Sequence, residues 1–147
     1  MQGVRGISVV LPSAGICFRS MNRQIIRTDN APSSPLYSQG VRAGSTIYVS
    51  GMVGIDPATG ELAGSSIQDQ TRQALRNCEA ILHAGGSTLA DVTLVTVLLA
   101  QPDDFAGMNE TYSEVFNQTL PTRAVARLGP DLGGILVSIM MTAHTAS

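Results

Sequence analysis

Ser66-Ile67-Gln68-Asp69-Gln70-Thr71-Arg72-Gln73-Ala74-Leu75-Arg76-Asn77-Cys78-Glu79-Ala80-Ile81-Leu82-His83-Ala84-Gly85-Gly86 is the stretch from which the fold of this chain is read. Ile67, Thr71, Ala74, Leu75, Cys78, Ile81 and Leu82 recur at the i, i+4, i+7 spacing that lines one face of an α-helix, while Gln68, Asp69, Arg72, Gln73, Arg76 and Glu79 fall elsewhere. The spacing predicts a helix over residues 67–83 with a single buried stripe. Ser66 with Asp69 resembles a capping box that uses Asp where Glu or Gln is usual, and Gly85-Gly86 offers a left-handed stop. A one-sided helix must rest on another layer, and the flanking sequence supplies it. Downstream, residues 92–99, rich in Val and Thr and apolar at nearly every position, read as a strand covered on both faces. Asp103 or Asp104 then caps a second helix over 105–116, with Phe105, Met108, Tyr112, Val115 and Phe116 as its stripe. Residues 122–128 and 135–143 read as the last two strands. Upstream, 24–27 is a short strand ended by Asp29-Asn30-Ala31-Pro32, and Val41 with Thr46-Ile47-Tyr48-Val49 flank Ala43-Gly44-Ser45 as a hairpin. Three or four strands, helix, strand, helix, strand, strand is the order of an α+β domain with two helices on one face of a mixed sheet.

Beyond that frame, the 147 residues suit one domain, expected over 21–147 after a segment 1–20 of different character. That first segment carries Arg5, Arg19, Ser8, Ser13 and Ser20, and no acidic residue precedes Asp29. It is an extension, an ordered arm or a transit peptide; Pro12 and Gly15 break any helix there. The expected location is therefore cytoplasmic, or the matrix of a mitochondrion or plastid if the segment is a targeting signal. All nine basic residues are arginine and none is lysine, which removes Schiff-base chemistry, a lysine base and a P-loop lysine together. A net charge of −2 with three Tyr, three Phe and no Trp makes a nucleic-acid partner unlikely on electrostatic and stacking grounds. Cys17 and Cys78 form no metal-binding or redox pair motif, and no apolar run reaches membrane-spanning length. Charged residues are only 14% of the chain against about 25% in an average soluble domain, which fits either a surface rich in Gly, Ala, Ser and Thr or one partly buried between subunits.

Ile135-Leu136-Val137-Ser138-Ile139-Met140-Met141 sharpens that last point, because a strand apolar on both faces needs cover on the side away from the helices and no third layer remains to give it. A symmetric partner would provide it. The chain lacks GxSxG, HExxH and GxGxxG patterns, and His83 and His144 stand alone, the first in a last helical turn and the second near a terminus. What remains is Arg123, entering a strand of small apolar residues in Leu120-Pro121-Thr122-Arg123-Ala124-Val125. A buried arginine needs an anion: a ligand carboxylate or phosphate, or a salt bridge to Glu110, Glu114 or Asp131. The other arginines fall in or near the extension, on the first helix, beside a turn (Arg42) or near a strand end (Arg127).

Asn30-Ala31-Pro32, Tyr37-Ser38-Gln39, Tyr48-Val49-Ser50-Gly51, Asp56-Pro57-Ala58-Thr59-Gly60, Phe105-Ala106-Gly107-Met108-Asn109-Glu110-Thr111-Tyr112 with Phe116, and Pro121-Thr122-Arg123 follow one another in a single register over residues 23–143. In that order they resemble the Rid family, also called the YjgF, reactive intermediate deaminase or L-PSP family. The resemblance implies a chorismate-mutase-like subunit, of the bacillus type, and a homotrimer whose sheets form a central barrel with clefts between subunits. It implies hydrolysis of small 2-imino or enamine acids to 2-keto acids and ammonia, with no metal or cofactor and a small carboxylate-bearing metabolite as partner. By the same resemblance Arg123 pairs with the substrate carboxylate, Tyr37, Ser50, Gly51 and Asn109 line the cleft, and Val125 offers backbone groups to the substrate nitrogen or a water.

Three residues depart from the family's pattern. Its deaminases usually carry a Glu in the final strand, and that position falls on Ser138, with Met140 at the next Glu position. Serine can hold a water but cannot act as a carboxylate acid or base, a role often worth about 10²- to 10⁴-fold. Met52 stands where Gln is common and Leu36 where glycine precedes the tyrosine, which is expected to make the cleft less polar. Three functions therefore stand side by side: an imine hydrolase using Arg123 with Ser138 or Tyr37, a non-catalytic trimeric binder of small carboxylates, and the ribonuclease activity of some family members, which the charge disfavours.

Overall fold

In the computed structural model, which describes residues 22–146, the predicted periodicities become six strands and two helices. The segment expected as an extension, with Cys17, lies outside the described residues. Strands β1 (Arg23–Ile26), β2 (Gly40–Ala43) and β3 (Thr46–Val53) form an antiparallel meander. Helix α1 (Ile67–Ala84) leads to β4 (Val92–Leu99), and helix α2 (Phe105–Val115) leads to β5 (Thr122–Arg127) and β6 (Val137–His144). The sheet order is β1-β2-β3-β6-β4-β5. Only β4 and β5 are parallel neighbours, and α2 provides the crossover that such a pair requires. β6 returns between β3 and β4, antiparallel to both.

Both helices lie on the same face of this mixed sheet. Ile47, Val49, Val95, Val97, Val137, Ile139 and Met141 interlock there with Ala74, Leu75, Cys78, Ile81 and Leu82 of α1 and Met108 of α2. On the opposite face Tyr48, Leu94 and Met140 are 53%, 41% and 40% exposed. The strand 92–99, expected to be covered on both faces, is thus covered on one within a single chain. Met52, expected to line a cleft, is buried in the core instead. His144, expected near a loose end, is held in β6 opposite Thr46.

Helix α1 ends where its sequence indicated. Ser66 Oγ accepts from the Asp69 amide at 3.1 Å, and Gly86 adopts φ +80°, a conformation that favours glycine. The capping box is half formed, since Ser66 Oγ donates to Asp69 Oδ2 at 2.8 Å and the Asp side chain does not reach back to the cap amide. Two polar residues that the apolar rhythm leaves out, Gln70 and Asn77, are fully buried. Asn77 Nδ2 donates to the carbonyls of Val53 and Ile55 at 2.9 and 2.8 Å. Gln70 Oε1 accepts from Leu136 N at 2.8 Å, while its Nε2 donates to the carbonyls of Gly64 and Gly134. These amides satisfy backbone groups where β3 ends and where the chain approaches β6.

Helix α2 departs from expectation at its start. A 3₁₀ turn, Pro102–Asp104, runs straight into the helix, so Asp104 is already helical and neither it nor Asp103 makes a side-chain cap. An N-cap needs an extended residue whose side chain folds back over the first turn. Phe105 is 46% exposed and so leaves the buried stripe, which is carried by Met108, Tyr112 and Phe116. Replacing Gln70 with Ala strands a buried amide and two carbonyls, and urea denaturation is expected to show a loss of about 2–3 kcal/mol.

Candidate functional site

Strand β5 is the outer strand of the sheet, and its hydrogen-bond parity decides what it offers. Leu128 N donates to Leu99 O at 2.8 Å, and the β4–β5 register runs unbroken from Leu94–Thr122 to Leu99–Arg127. Even-numbered residues therefore turn their amides and carbonyls toward β4, and Arg123, Val125 and Arg127 turn theirs to the open edge. Arg123, expected inside an apolar strand, is exposed in the chain because β5 has no outer neighbour.

The Arg123 guanidinium is nonetheless held. Its Cζ lies 4.7 Å from the centroid of the Tyr112 ring, and Nη1 donates to Asn109 Oδ1 at 2.7 Å. Asn109 and Tyr112 are three apart on α2 and so share a face. Tyr112 is itself anchored, buried against Phe116 with ring centroids 4.9 Å apart. Burial raises the Tyr112 phenol above its usual range, and the positive charge of Arg123 opposes that shift. Its hydroxyl is buried with no hydrogen-bond partner among the described residues.

None of the three carboxylates that could have neutralised Arg123 does so. Glu110 accepts from Gln68 at 3.4 Å, Glu114 pairs with Arg72 at 3.4 Å, and Asp131 accepts from Gly133 N at 3.1 Å. A ring beneath the guanidinium and an amide oxygen at one side leave the rest of its donor fork open to a planar anion.

A second group gathers where β3 meets β6. The pairing register shifts between Val49 and Met52, a bulge that contains Ser50 and Gly51. Ser50 Oγ donates to Ser38 O at 2.6 Å and Ser50 N donates to Gln39 O at 2.9 Å. Gln39 is buried, and its Nε2 donates to the carbonyls of Thr28, Ala31 and Pro32, which fixes the loop that carries Tyr37. Ser138 is 8% exposed, and a Cβ added to Gly51 would come within 2.8 Å of its Oγ, so glycine is what lets the two strands close here. Tyr37 is half exposed beside a cavity of about 600 Å³ in its own loop, and Leu36 is 89% exposed.

One chain does not join these groups. Val137, Ile139 and Met141 face the helices, so Ser138 faces away, whereas Arg123 lies against α2. β4 separates β6 from β5, and Tyr37 precedes β2 at the far side of the sheet. Arg123, Asn109 and Val125 gather at the β5 edge beside α2, and Ser50, Gly51 and Ser138 gather on the opposite face. No described contact links Tyr37 to Arg123. Among the described residues no three His, Cys, Asp or Glu side chains could together hold a metal ion, and no helix is long and apolar enough to cross a membrane. Cys78 is buried, its thiol pushed well above its usual range by loss of solvent, with Sγ 3.4 Å from Ile139 O.

The model of the endoribonuclease L-PSP family matches residues 28–145, which is nearly the whole described domain. The chain belongs to the Rid family, also called the YjgF or L-PSP family. It is 44% identical over 127 residues to a RutC family protein of Pyrococcus horikoshii, covering 83% of this chain and 98% of that one. It is 42% identical over 106 residues to the 2-iminobutanoate/2-iminopropanoate deaminase of Mus musculus, covering 71% and 78%. Its fold is similar to that of E. coli TdcF with bound serine, with a TM-score of 0.78, 33% identity, and 84% and 99% of the two chains covered. Imine deaminase activity is thus a property within this Rid family, and the two helices on a mixed six-stranded sheet are its fold. Gln39, Gln70 and Asn77 are the residues of this Rid chain whose roles no periodicity revealed, because each is a polar side chain that bonds backbone outside its own element, and periodicity placed Tyr112 in the α2 stripe without showing that it supports Arg123. Tyr112→Phe removes only an unpartnered buried hydroxyl and is expected to leave stability unchanged or raise it by up to about 1 kcal/mol, whereas Tyr112→Leu should lower it, both measured by urea denaturation.

Proposed function

We propose that this protein hydrolyses small 2-imino acids and their enamine tautomers to 2-keto acids and ammonia, in clefts built between the copies of a homotrimer. The observation that carries the reading is Arg123, stacked on Tyr112 and steadied by Asn109, with no carboxylate partner among the described residues. The substrate carboxylate fits that open fork, and the outward amide and carbonyl of Val125 lie two residues along the same edge for the imine nitrogen or a water. The homology to imine deaminases supports the reaction, and the serine bound to a relative is itself a small α-carboxylate.

The two half-sites on opposite faces support the assembly, since Arg123 of one copy can meet Ser50, Gly51 and Ser138 only from a neighbouring copy. The exposed apolar face around Tyr48, Leu94 and Met140, with a depression of about 270 Å³, supports a partner on that side. In the reaction a water oxygen bonds to C2, the C=N π pair withdraws to nitrogen, both protons of the water pass to nitrogen, and the C–N bond breaks to release ammonia as the C=O bond forms. No electrons are gained or lost overall. An imine conjugated to a carboxylate is already electrophilic, so orientation and charge stabilisation at nitrogen are the main demands on the protein. Ser138 can orient the water by hydrogen bonding. A second reading, capture of small carboxylates without turnover, draws on the same residue, because serine does not titrate as a carboxylate would.

With 2-iminobutanoate or 2-iminopropanoate generated in situ, decay faster than the buffer control is expected for the wild type and a loss of about 10²-fold or more for Arg123→Ala, which removes a charge-assisted contact at the reacting centre. Ser138→Glu should accelerate decay. Wild-type decay at the buffer rate, with 2-oxobutanoate binding that Arg123→Ala abolishes, would establish the binder instead. Light scattering should give a mass about three times the 15.4 kDa of one chain, and a mass near one chain would sink the shared cleft.

A further inference from the structure

Arg127, which the sequence places merely near a strand end, lines a groove between β5 and the start of α2. Side chains alternate along a strand, so Arg123, Val125 and Arg127 project to the same face. Arg123 meets Asn109 and Tyr112 in the body of α2, whereas Val125 and Arg127 line about 450 Å³ of space with Phe105 and Pro102 at the helix's beginning. Strand and helix therefore run past each other, with one guanidinium at either end of an apolar stretch. Among the described residues Arg127 makes no ion pair, although Asp103 and Asp104 lie in the adjoining turn. Arg42 and Arg72, by contrast, are engaged with Gly85 O and Glu114.

We infer that Arg127 is a second anion anchor, and that the cleft selects 2-imino acids carrying a distal carboxylate, of the four- or five-carbon 2-imino dicarboxylic class. The inference rests on the imine-hydrolase reading of Arg123. Four residues of strand set the two arginine Cα atoms about 13 Å apart. With C–C bonds of about 1.5 Å, the carboxyl carbons of such a diacid lie about 4–5 Å apart. Side chains that leave one face of the strand in parallel keep about that spacing at their guanidinium carbons, and a bidentate guanidinium–carboxylate pair adds about 4 Å at each end, so the diacid spans the interval. Its methylene groups lie against Val125 and the exposed ring of Phe105, which gives that aromatic, out of place on a surface, a surface to cover. The hydrolysis is unchanged: water adds at C2 and ammonia leaves, while the distal carboxylate stays intact on Arg127.

The test compares 2-iminobutanoate with 2-iminoglutarate, each generated in situ by an amino-acid oxidase, on the wild type, Arg127→Gln and Arg127→Lys of the full chain. Arg127→Gln is expected to lower the ratio of kcat/KM for the diacid over the monoacid about 10- to 100-fold, chiefly through the KM of the diacid. Arg127→Lys should recover part of that ratio, because it keeps the charge without the fork. An equal fall on both substrates, or a ratio within about twofold of the wild type, overturns the proposal. If the wild type hastens the decay of neither imine, the hydrolase reading fails, and titration with 2-oxoglutarate and 2-oxobutanoate decides the anchor alone. Preferential binding of 2-oxoglutarate that Arg127→Gln removes keeps it; equal affinity, or binding of neither, overturns it.

Discussion

Helices cover one face of the sheet and leave the other bare, and most of what this molecule can do follows from that asymmetry. The covered face packs Val95, Val97, Ile139 and Met141 against α1 and α2, while Tyr48, Leu94 and Met140 stay open to solvent on the other. Apolar area of that kind is unfavourable in water at roughly 25 cal/mol per Å², which makes a second copy of the chain its natural cover. The same asymmetry divides the candidate site, since α2 holds Arg123 on one face and the bulge at Ser50-Gly51 holds Ser138 on the other. The bare face and the divided residues thus support the proposed association for one reason.

Positioning of the functional groups is done by residues that carry no chemistry. Gln39 gathers three carbonyls of the loop bearing Tyr37, and Asn77 and Gln70 close the backbone around the ends of β3 and the approach to β6. Each is a primary amide, able to donate and accept at once, and so suited to buried backbone that has left regular structure. Tyr112 plays a comparable part for Arg123, presenting the negative face of its ring to a cation that has no carboxylate nearby. Arginine suits such a place because its planar fork can stack on the ring and still present paired donors to a carboxylate.

Much of the fold was legible in residue order. The rhythm of Ile67, Thr71, Ala74, Cys78 and Ile81, closed by Gly85-Gly86, defined α1 to within a residue of its observed end, and the strands at 92–99 and 135–143 lay close to where their β-branched runs placed them. Misreadings share one cause. Phe105 was assigned from local pattern and Met52 from the family resemblance, yet the first is turned outward by the 3₁₀ turn that precedes it and the second inward by the bulge beside it. Asp103 and Asp104 lost their capping role to that same turn. Arg123 was expected to be buried because its neighbours are small and apolar, but β5 is an edge strand, and strand order is not written in any local window.

Residue identity by itself determined which chemistry was available: no lysine, one arginine placed among apolar strand residues, a serine where the family resemblance implies a glutamate, and the ordered landmarks of the Rid family. These are matters of which side chains exist and how they are spaced, and periodicity of 3.6 or 2 converts spacing into faces without further information. Only the tertiary structure decided which faces meet. Among the described residues it withheld every carboxylate from Arg123, set Ser138 and Arg123 on opposite sides of the sheet, and brought Arg127 into line with Val125 and Phe105. Such outcomes depend on long-range pairing, with β6 inserted between β3 and β4, and the free energy that selects that order is summed over the whole core rather than carried by any segment.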